Sequence, residues 1–205
     1  MGEGRQSGTR VGGRGTPRWF DWKWQLHHRM RSLTEFAALT GLPSRSLASL
    51  RQVDRVYPFA ITPYYWSLAD PADCDDPIRR QCVPDRRELD CLGSLDDPLG
   101  EEGAMPTPGL IHRYPDRCLA IVTNECAVYC RHCNRKRLWR GNGYGGTRKR
   151  LQAMVDYVSR TSAIREVIVS GGDPLLLAEE LLDWFLGALR AVPHVEVLRI
   201  GSRVP

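Results

Sequence analysis

The second half of the sequence alternates between short apolar runs and amphipathic stretches, and this alternation constrains the fold more than any other feature. Three runs have the length and β-branched content of strands, and the first of them is apolar enough to be buried: CLAIVTNE (118–125), EVIVSGGDP (166–174) and VEVLRIGSRVP (195–205). Apolar residues recur at helical spacing between these runs, first as Leu151, Met154, Val155 and Val158, then as Leu181, Phe185, Ala188 and Leu189. The alternation predicts an α/β fold with a parallel sheet and right-handed crossovers.

The residues before this region predict a different kind of structure. Residues 1–18 are rich in Gly and Arg without apolar periodicity, which is typical of a flexible tail. Residues 19–110 predict a helical and irregular extension, with a helical stretch that ends at Gly41-Leu42-Pro43 and a later part dense in Pro, Asp and Gly. Residues 111–205 form the α/β domain in this interpretation.

Composition narrows the class of protein. A hydrophobic content of 42% and a charged content of 26% are ordinary for a soluble globular chain. No apolar run approaches the roughly 18 residues of a membrane span, and the amino terminus lacks the apolar core of a secretory signal. We therefore expect a cytoplasmic protein without a membrane partner. The net charge of +5 comes mostly from arginine, but no basic helix or aromatic-studded strand set favours nucleic acid.

A polar motif follows each predicted strand. The cysteines come after the first strand, SGGDP after the second and GSR after the third. Because chemistry in parallel α/β folds sits at the carboxyl ends of the strands, we expect these motifs to meet.

The stretch NECAVYCRHCNRKR (124–137) places Cys126, Cys130 and Cys133 within eight residues. Cys130 and Cys133 alone could form a thioredoxin-like redox pair, and His132 could complete a structural zinc site. Three thiolates could instead hold an iron–sulfur cluster with one iron left open. An odd total of seven cysteines argues against a disulfide framework. The other four are interpreted as structural or incidental: Cys74, Cys82, Cys91 and Cys118.

The CxxxCxxC spacing resembles the radical S-adenosylmethionine (SAM) superfamily. Further motifs extend the likeness over residues 20–205 to the lysine 2,3-aminomutase family; they are ITPYYWSLADP, DDPIRRQ, PGLIHRYPDR, VIVSGGDPLLL and PHVEVLRIGSRVP. The resemblance implies that residues 111–205 are the first part of a radical SAM partial (β/α) TIM-like barrel, cut after about three strands.

The resemblance also implies roles for particular residues. Cys126, Cys130 and Cys133 would hold a [4Fe–4S] cluster whose open iron binds SAM. The SAM contacts would be His132, Gly171, Gly172, Asp173, Ser202 and Arg203. Contacts to pyridoxal phosphate would be Arg113, Tyr114 and Arg117, and Arg135 would bind the substrate carboxylate. Asp173 could also be a plain helix cap, and Lys136 and Arg137 would only offset the negative charge of the cluster.

The implied reaction is the migration of an amino group from the α to the β carbon of an amino acid, started by a 5′-deoxyadenosyl radical. L-Lysine is the simplest substrate, free or in a pathway that modifies a protein-bound lysine, and glutamate stays open. Flavodoxin or ferredoxin would supply the electron, and the full protein could be a homo-oligomer. The pyridoxal-phosphate lysine would lie beyond Pro205, so we expect these 205 residues to be inactive alone. A non-catalytic metal-binding or RNA-contacting module is the alternative from another class.

Overall fold

The computed structural model describes residues 16–41, 44–90, 96–140 and 144–204. Most of the predicted tail therefore lies outside the described residues. Backbone contacts divide the chain into two compact units, one formed by 1–92 with 127–133 and the other by 93–126 with 134–205. The boundaries predicted at 18/19 and 110/111 stay predictions.

The first unit is helical. Its α-helices are α1 (Trp22–His27), α2 (Leu33–Thr40), α3 (Ser44–Val56), α4 (Pro63–Trp66) and α5 (Pro77–Cys82), and 3-10 turns span Pro17–Phe20 and Arg86–Glu88. The predicted helix stop at Gly41 is confirmed, because this residue ends α2 in the left-handed conformation with φ 68°. The helical stretch predicted before it consists of separate helices, and α3 begins soon after the stop. Phe36, Phe59 and Trp66 pack together in the core.

The second unit contains a four-stranded sheet. The strands are β1 (Leu110–Tyr114), β2 (Arg117–Thr123), β3 (Glu166–Gly171) and β4 (Val197–Ile200), in the spatial order β1-β2-β3-β4. The crossover helices are α6 (Arg148–Arg160) and α7 (Glu179–Arg190), and 3-10 turns span Glu102–Ala104, Lys136–Arg140 and Pro174–Leu176. Strands β2, β3 and β4 are parallel, which confirms the predicted α/β topology. The continuation into a barrel stays a prediction.

Strand β1 was not anticipated by the sequence. It pairs antiparallel with β2, and Tyr114 faces Arg117 across the Pro115-Asp116 turn. The motif HRYPDR therefore forms a tight hairpin.

The core of the second unit lies between the sheet and the two helices. The apolar face predicted for α6 is fully confirmed as buried, and Phe185 and Leu189 are the buried residues of α7. They pack with Val122, Val167 and Val169 of the sheet. Within the described residues, no helix has both the length and the apolar character needed to span a membrane.

Candidate cluster and cofactor site

The carboxyl ends of β2 and β3 are joined by backbone hydrogen bonds just before the first motif cysteine. The Gly172 amide donates to the Thr123 carbonyl at 2.6 Å, and the Asp173 amide donates to the Glu125 carbonyl at 2.7 Å. A Cβ atom on Gly172 would lie 2.2 Å from the Glu125 oxygen, so a side chain does not fit there. Gly171 adopts φ 137°, which also favours glycine. The SGGD motif therefore fixes the backbone that leads into Cys126.

Asp173 joins the end of β3 to the end of β4. It is 4% exposed, and its Oδ1 accepts hydrogen bonds from Ser202 Oγ at 2.8 Å and from the Leu175 amide at 3.1 Å. Its Oδ2 accepts from the Arg203 amide at 2.7 Å. The expected meeting of the SGGDP and GSR motifs is thus observed, and Asp173 caps a 3-10 turn as well. Its contact with SAM stays a prediction.

The three motif cysteines offer a donor set that suits an iron–sulfur cluster. None of the three forms a disulfide, and all three are half-buried. The Cys133 amide donates to the Cys130 carbonyl at 2.9 Å, which closes a tight turn around the exposed His132. Thiolates are the usual protein ligands of iron–sulfur clusters, and three of them leave one iron open. The chemistry of these three side chains therefore suits a [4Fe–4S] group, while the SAM contact of His132 stays a prediction.

Arg135, the predicted partner of a substrate carboxylate, binds a carboxylate of the chain itself. Its Nε and Nη2 atoms donate to Glu101 over distances of 2.6 to 3.0 Å. The side chain of Glu101 is 6% exposed and that of Arg135 is 17% exposed. The guanidinium is thus held in a bidentate geometry that suits carboxylates, and its contact with substrate stays a prediction.

Arg137 is paired with three acidic residues of the segment 97–102. Its guanidinium lies 3.0 Å from Asp97, 3.1 Å from Glu101 and 3.3 Å from Glu102. The charge of Arg137 is therefore compensated within the chain. Glu101 is the residue that sequence reasoning missed at this site, although the acidic run DDPLGEE (96–102) was a signal, since its charge is opposite to that of RKR.

The three residues predicted to contact pyridoxal phosphate lie together at the hairpin. Arg113 donates to the Leu99 carbonyl, and Arg117 forms a two-fold contact with Asp116 at 2.9 and 3.0 Å, which lowers the pKa of that carboxyl. This hairpin is at the opposite end of β2 from Thr123, about 20 Å away for a seven-residue strand. The structure therefore does not bring these residues together with the motifs at the carboxyl ends.

The cysteines outside the motif differ in exposure. Cys82 and Cys118 are buried, and burial raises the pKa of each thiol to about 12, so both stay protonated at neutral pH. Cys74 is exposed, and Cys91 lies outside the described residues. Cys82 and Cys118 therefore have the properties of structural thiols.

Comparison with known proteins matches the region that contains the three motif cysteines. A family described as "4Fe-4S single cluster domain" matches residues 116–197. L-Lysine 2,3-aminomutase of Clostridium subterminale is 42% identical over 188 residues, which cover 91% of this chain and 45% of that protein. The enzyme of the same name from Bacillus subtilis is 43% identical over 189 residues, covering 92% of the chain and 40% of the relative. Glutamate 2,3-aminomutase of Clostridioides difficile is 38% identical over 185 residues, covering 90% and 44%.

These relatives confirm the family resemblance inferred from the motifs. The chain is homologous to the lysine 2,3-aminomutases over nine tenths of its length. It spans less than half the length of the three curated relatives described.

Proposed function

Because the chain is homologous to the lysine 2,3-aminomutases, we propose that it forms the cluster- and SAM-binding part of a radical SAM, pyridoxal-phosphate-dependent amino acid 2,3-aminomutase. The observation that carries the proposal is the set of three half-buried cysteines, outside any disulfide, at CxxxCxxC spacing, placed directly after β2 and inside the matched 4Fe-4S region. The first strands would belong to a partial (β/α) barrel.

The residues of this chain would bind and orient the reacting groups. Cys126, Cys130 and Cys133 would hold three irons, and the cluster with SAM and pyridoxal phosphate would supply radical chemistry and stabilise the migrating amino group. The buried carboxylate of Asp173 would attract the amino group of SAM. His132 and the backbone of Gly171 and Gly172 would assist in binding SAM. At the hairpin, Arg113, Tyr114 and Arg117 would bind the phosphate group of pyridoxal phosphate.

Arg135 would bind the carboxylate of the substrate. Its bidentate contact with Glu101 supports this role, because the guanidinium is already oriented for a carboxylate and lies in a sparsely exposed setting. The carboxylate of the substrate would then either share the Arg135 guanidinium with Glu101 or replace Glu101 there.

L-Lysine is the favoured substrate, since the most similar relatives described here are lysine enzymes at 42% and 43% identity. L-Glutamate is the second candidate because of the relative at 38% identity. We further propose a cytoplasmic location, a flavodoxin or ferredoxin as electron donor, and a homo-oligomer for the whole protein. The expectation that residues 1–205 alone do not form a β-amino acid stays a prediction.

Anaerobic reconstitution tests the proposal. Purified chain treated with iron and sulfide should bind about four irons per chain, and reduction with dithionite should cleave added SAM to 5′-deoxyadenosine and methionine. Iron content would be measured by chemical analysis and SAM cleavage by chromatography.

Two variants sharpen this experiment. Cys130→Ala should lose the iron and the cleavage of SAM, whereas Cys74→Ala should keep both, because Cys74 is exposed and outside the motif. A colourless protein that retains only zinc would contradict the proposal and favour a metal-binding module.

A further inference from the structure

A buried arginine lies inside the cysteine motif and has no role in the chemistry proposed above. Arg131 stands between Cys130 and His132, and its side chain is 5% exposed. Residues 127–133 belong to the first unit, so the contacts of Arg131 lie within that helical unit.

The guanidinium of Arg131 is surrounded by oxygen acceptors. Its Nε and Nη2 atoms donate to the two carboxylate oxygens of Glu88 at 2.9 and 3.0 Å. Nη1 donates to the Pro58 carbonyl at 2.8 Å, and Nη2 also donates to the Tyr57 carbonyl at 3.2 Å. Since Glu88 is only 11% exposed, the pair is largely withdrawn from water, and a buried carboxylate compensates the charge of Arg131.

Glu88 is itself held in place. It is the last residue of the turn Arg86–Glu88, and its Oε1 accepts a hydrogen bond from the Asp85 amide at 3.0 Å in a capping box. The carboxylate is therefore oriented by its own turn as well as by Arg131.

The backbone on either side of Cys130 is fixed to the same unit. The Tyr129 amide donates to the Ala60 carbonyl at 2.9 Å, and the Arg131 amide donates to the Gln81 carbonyl at 2.8 Å. The ring of Tyr129 also lies 5.7 Å from the guanidinium of Arg29. These contacts hold the turn from Cys130 to Cys133 at its base.

We propose that Glu88 is a positioning residue for the iron–sulfur cluster. Through Arg131 it preforms the Cys130–Cys133 turn, so that two thiols are oriented before iron arrives and less conformational entropy is lost on binding. Arg131 acts through geometry rather than charge, because Glu88 compensates it. This inference rests on the proposed function, which supplies the cluster.

The first test uses residues 1–205 without iron. Glu88→Gln keeps the size of the side chain but removes the charge, and hydrogen exchange in peptides covering 127–133 should become about tenfold faster. Peptides from β2 and α6 should be unchanged. Arg87→Gln is the matched control, since Arg87 is a neighbour in the same turn with a side chain 72% exposed, and it should exchange like the parent chain.

The second test follows the cluster. After reconstitution, Glu88→Gln should lose iron to a chelator about tenfold faster than the parent, as is typical when a residue that supports a metal ligand is changed. The electron paramagnetic resonance spectrum of its reduced cluster should also change. Arg131→Lys, which keeps the charge but not the two-fold contact, should move both readouts in the same direction.

The outcomes separate this inference from the proposed function. A parent chain that takes up no iron contradicts the proposed function. A parent chain that binds iron, with variants that match it in exchange, iron loss and spectrum, overturns the positioning role. Hydrogen exchange that rises equally in β2, α6 and 127–133 in Glu88→Gln and Arg131→Lys would also overturn the positioning role, because Glu88 would then act on the whole fold.

Discussion

Gly172 directly follows β3, and because it has no side chain it can approach the backbone of Glu125, just before Cys126, closely. In Gly172→Ala the new Cβ would meet the Glu125 carbonyl at 2.2 Å, and neither backbone can move away without breaking the hydrogen bonds that join them. We expect a loss of about 1–3 kcal/mol in the free energy of unfolding, measured by urea denaturation. Iron uptake should fall as well, because the displaced segment leads into Cys126.

The matched control for this glycine is Gly187→Ala. Gly187 lies in α7, and a Cβ there would meet nothing within 4 Å. Alanine should stabilise the helix by about 0.5–1 kcal/mol and leave iron uptake unchanged. Equal stability for the Gly172 and Gly187 variants would show that the close approach at Gly172 is not required.

At the scale of elements, Arg150 of α6 connects that helix to the carboxyl end of β2. Its guanidinium donates to the Ile121 and Val122 carbonyls at 2.6 and 2.7 Å, and to the carbonyls of Tyr144 and Gly145. Burial lowers the pKa of this arginine. In Arg150→Met the carbonyls of the buried residues Ile121 and Val122 lose this donor, and we expect the free energy of unfolding, measured by thermal or chemical denaturation, to fall by about 3 kcal/mol.

The control for Arg150 is its exposed neighbour. Lys149→Met changes the same helix and removes a charge of the same sign, and it should alter stability by less than about 0.5 kcal/mol. If both variants were equally stable, the contacts of Arg150 with the strand end would contribute nothing to folding.

Elements with a strong local pattern could be predicted from the sequence. Strands β2 and β3 are rich in β-branched residues, and the apolar face of α6 repeats at helical spacing, so both were found. Strand β1 was missed because the five residues LIHRY combine two apolar residues with three polar or aromatic ones, and its partner is supplied by the hairpin. Tertiary pairing decided that element.

Partners distant in sequence could not be predicted. The carboxylates that hold Arg135 and Arg131 lie 34 and 43 residues away. Local propensity carries no information on which acidic residue meets which arginine, because opposite charges at such separations are brought together only by the fold. The sequence thus identified the cysteines, while their supporting residues required the structure.

At the scale of the whole molecule, binding of the cluster should increase the thermal stability of the chain. A group that binds the folded chain in preference to the unfolded one raises Tm, and saturation at 100 times Kd adds about 2.7 kcal/mol. Anaerobic calorimetry should show Tm of the reconstituted chain higher by about 5 °C or more. The gain should vanish in Cys126→Ala and persist in Cys74→Ala. An unchanged Tm in a chain that holds four irons would mean that the iron is bound outside the folded structure.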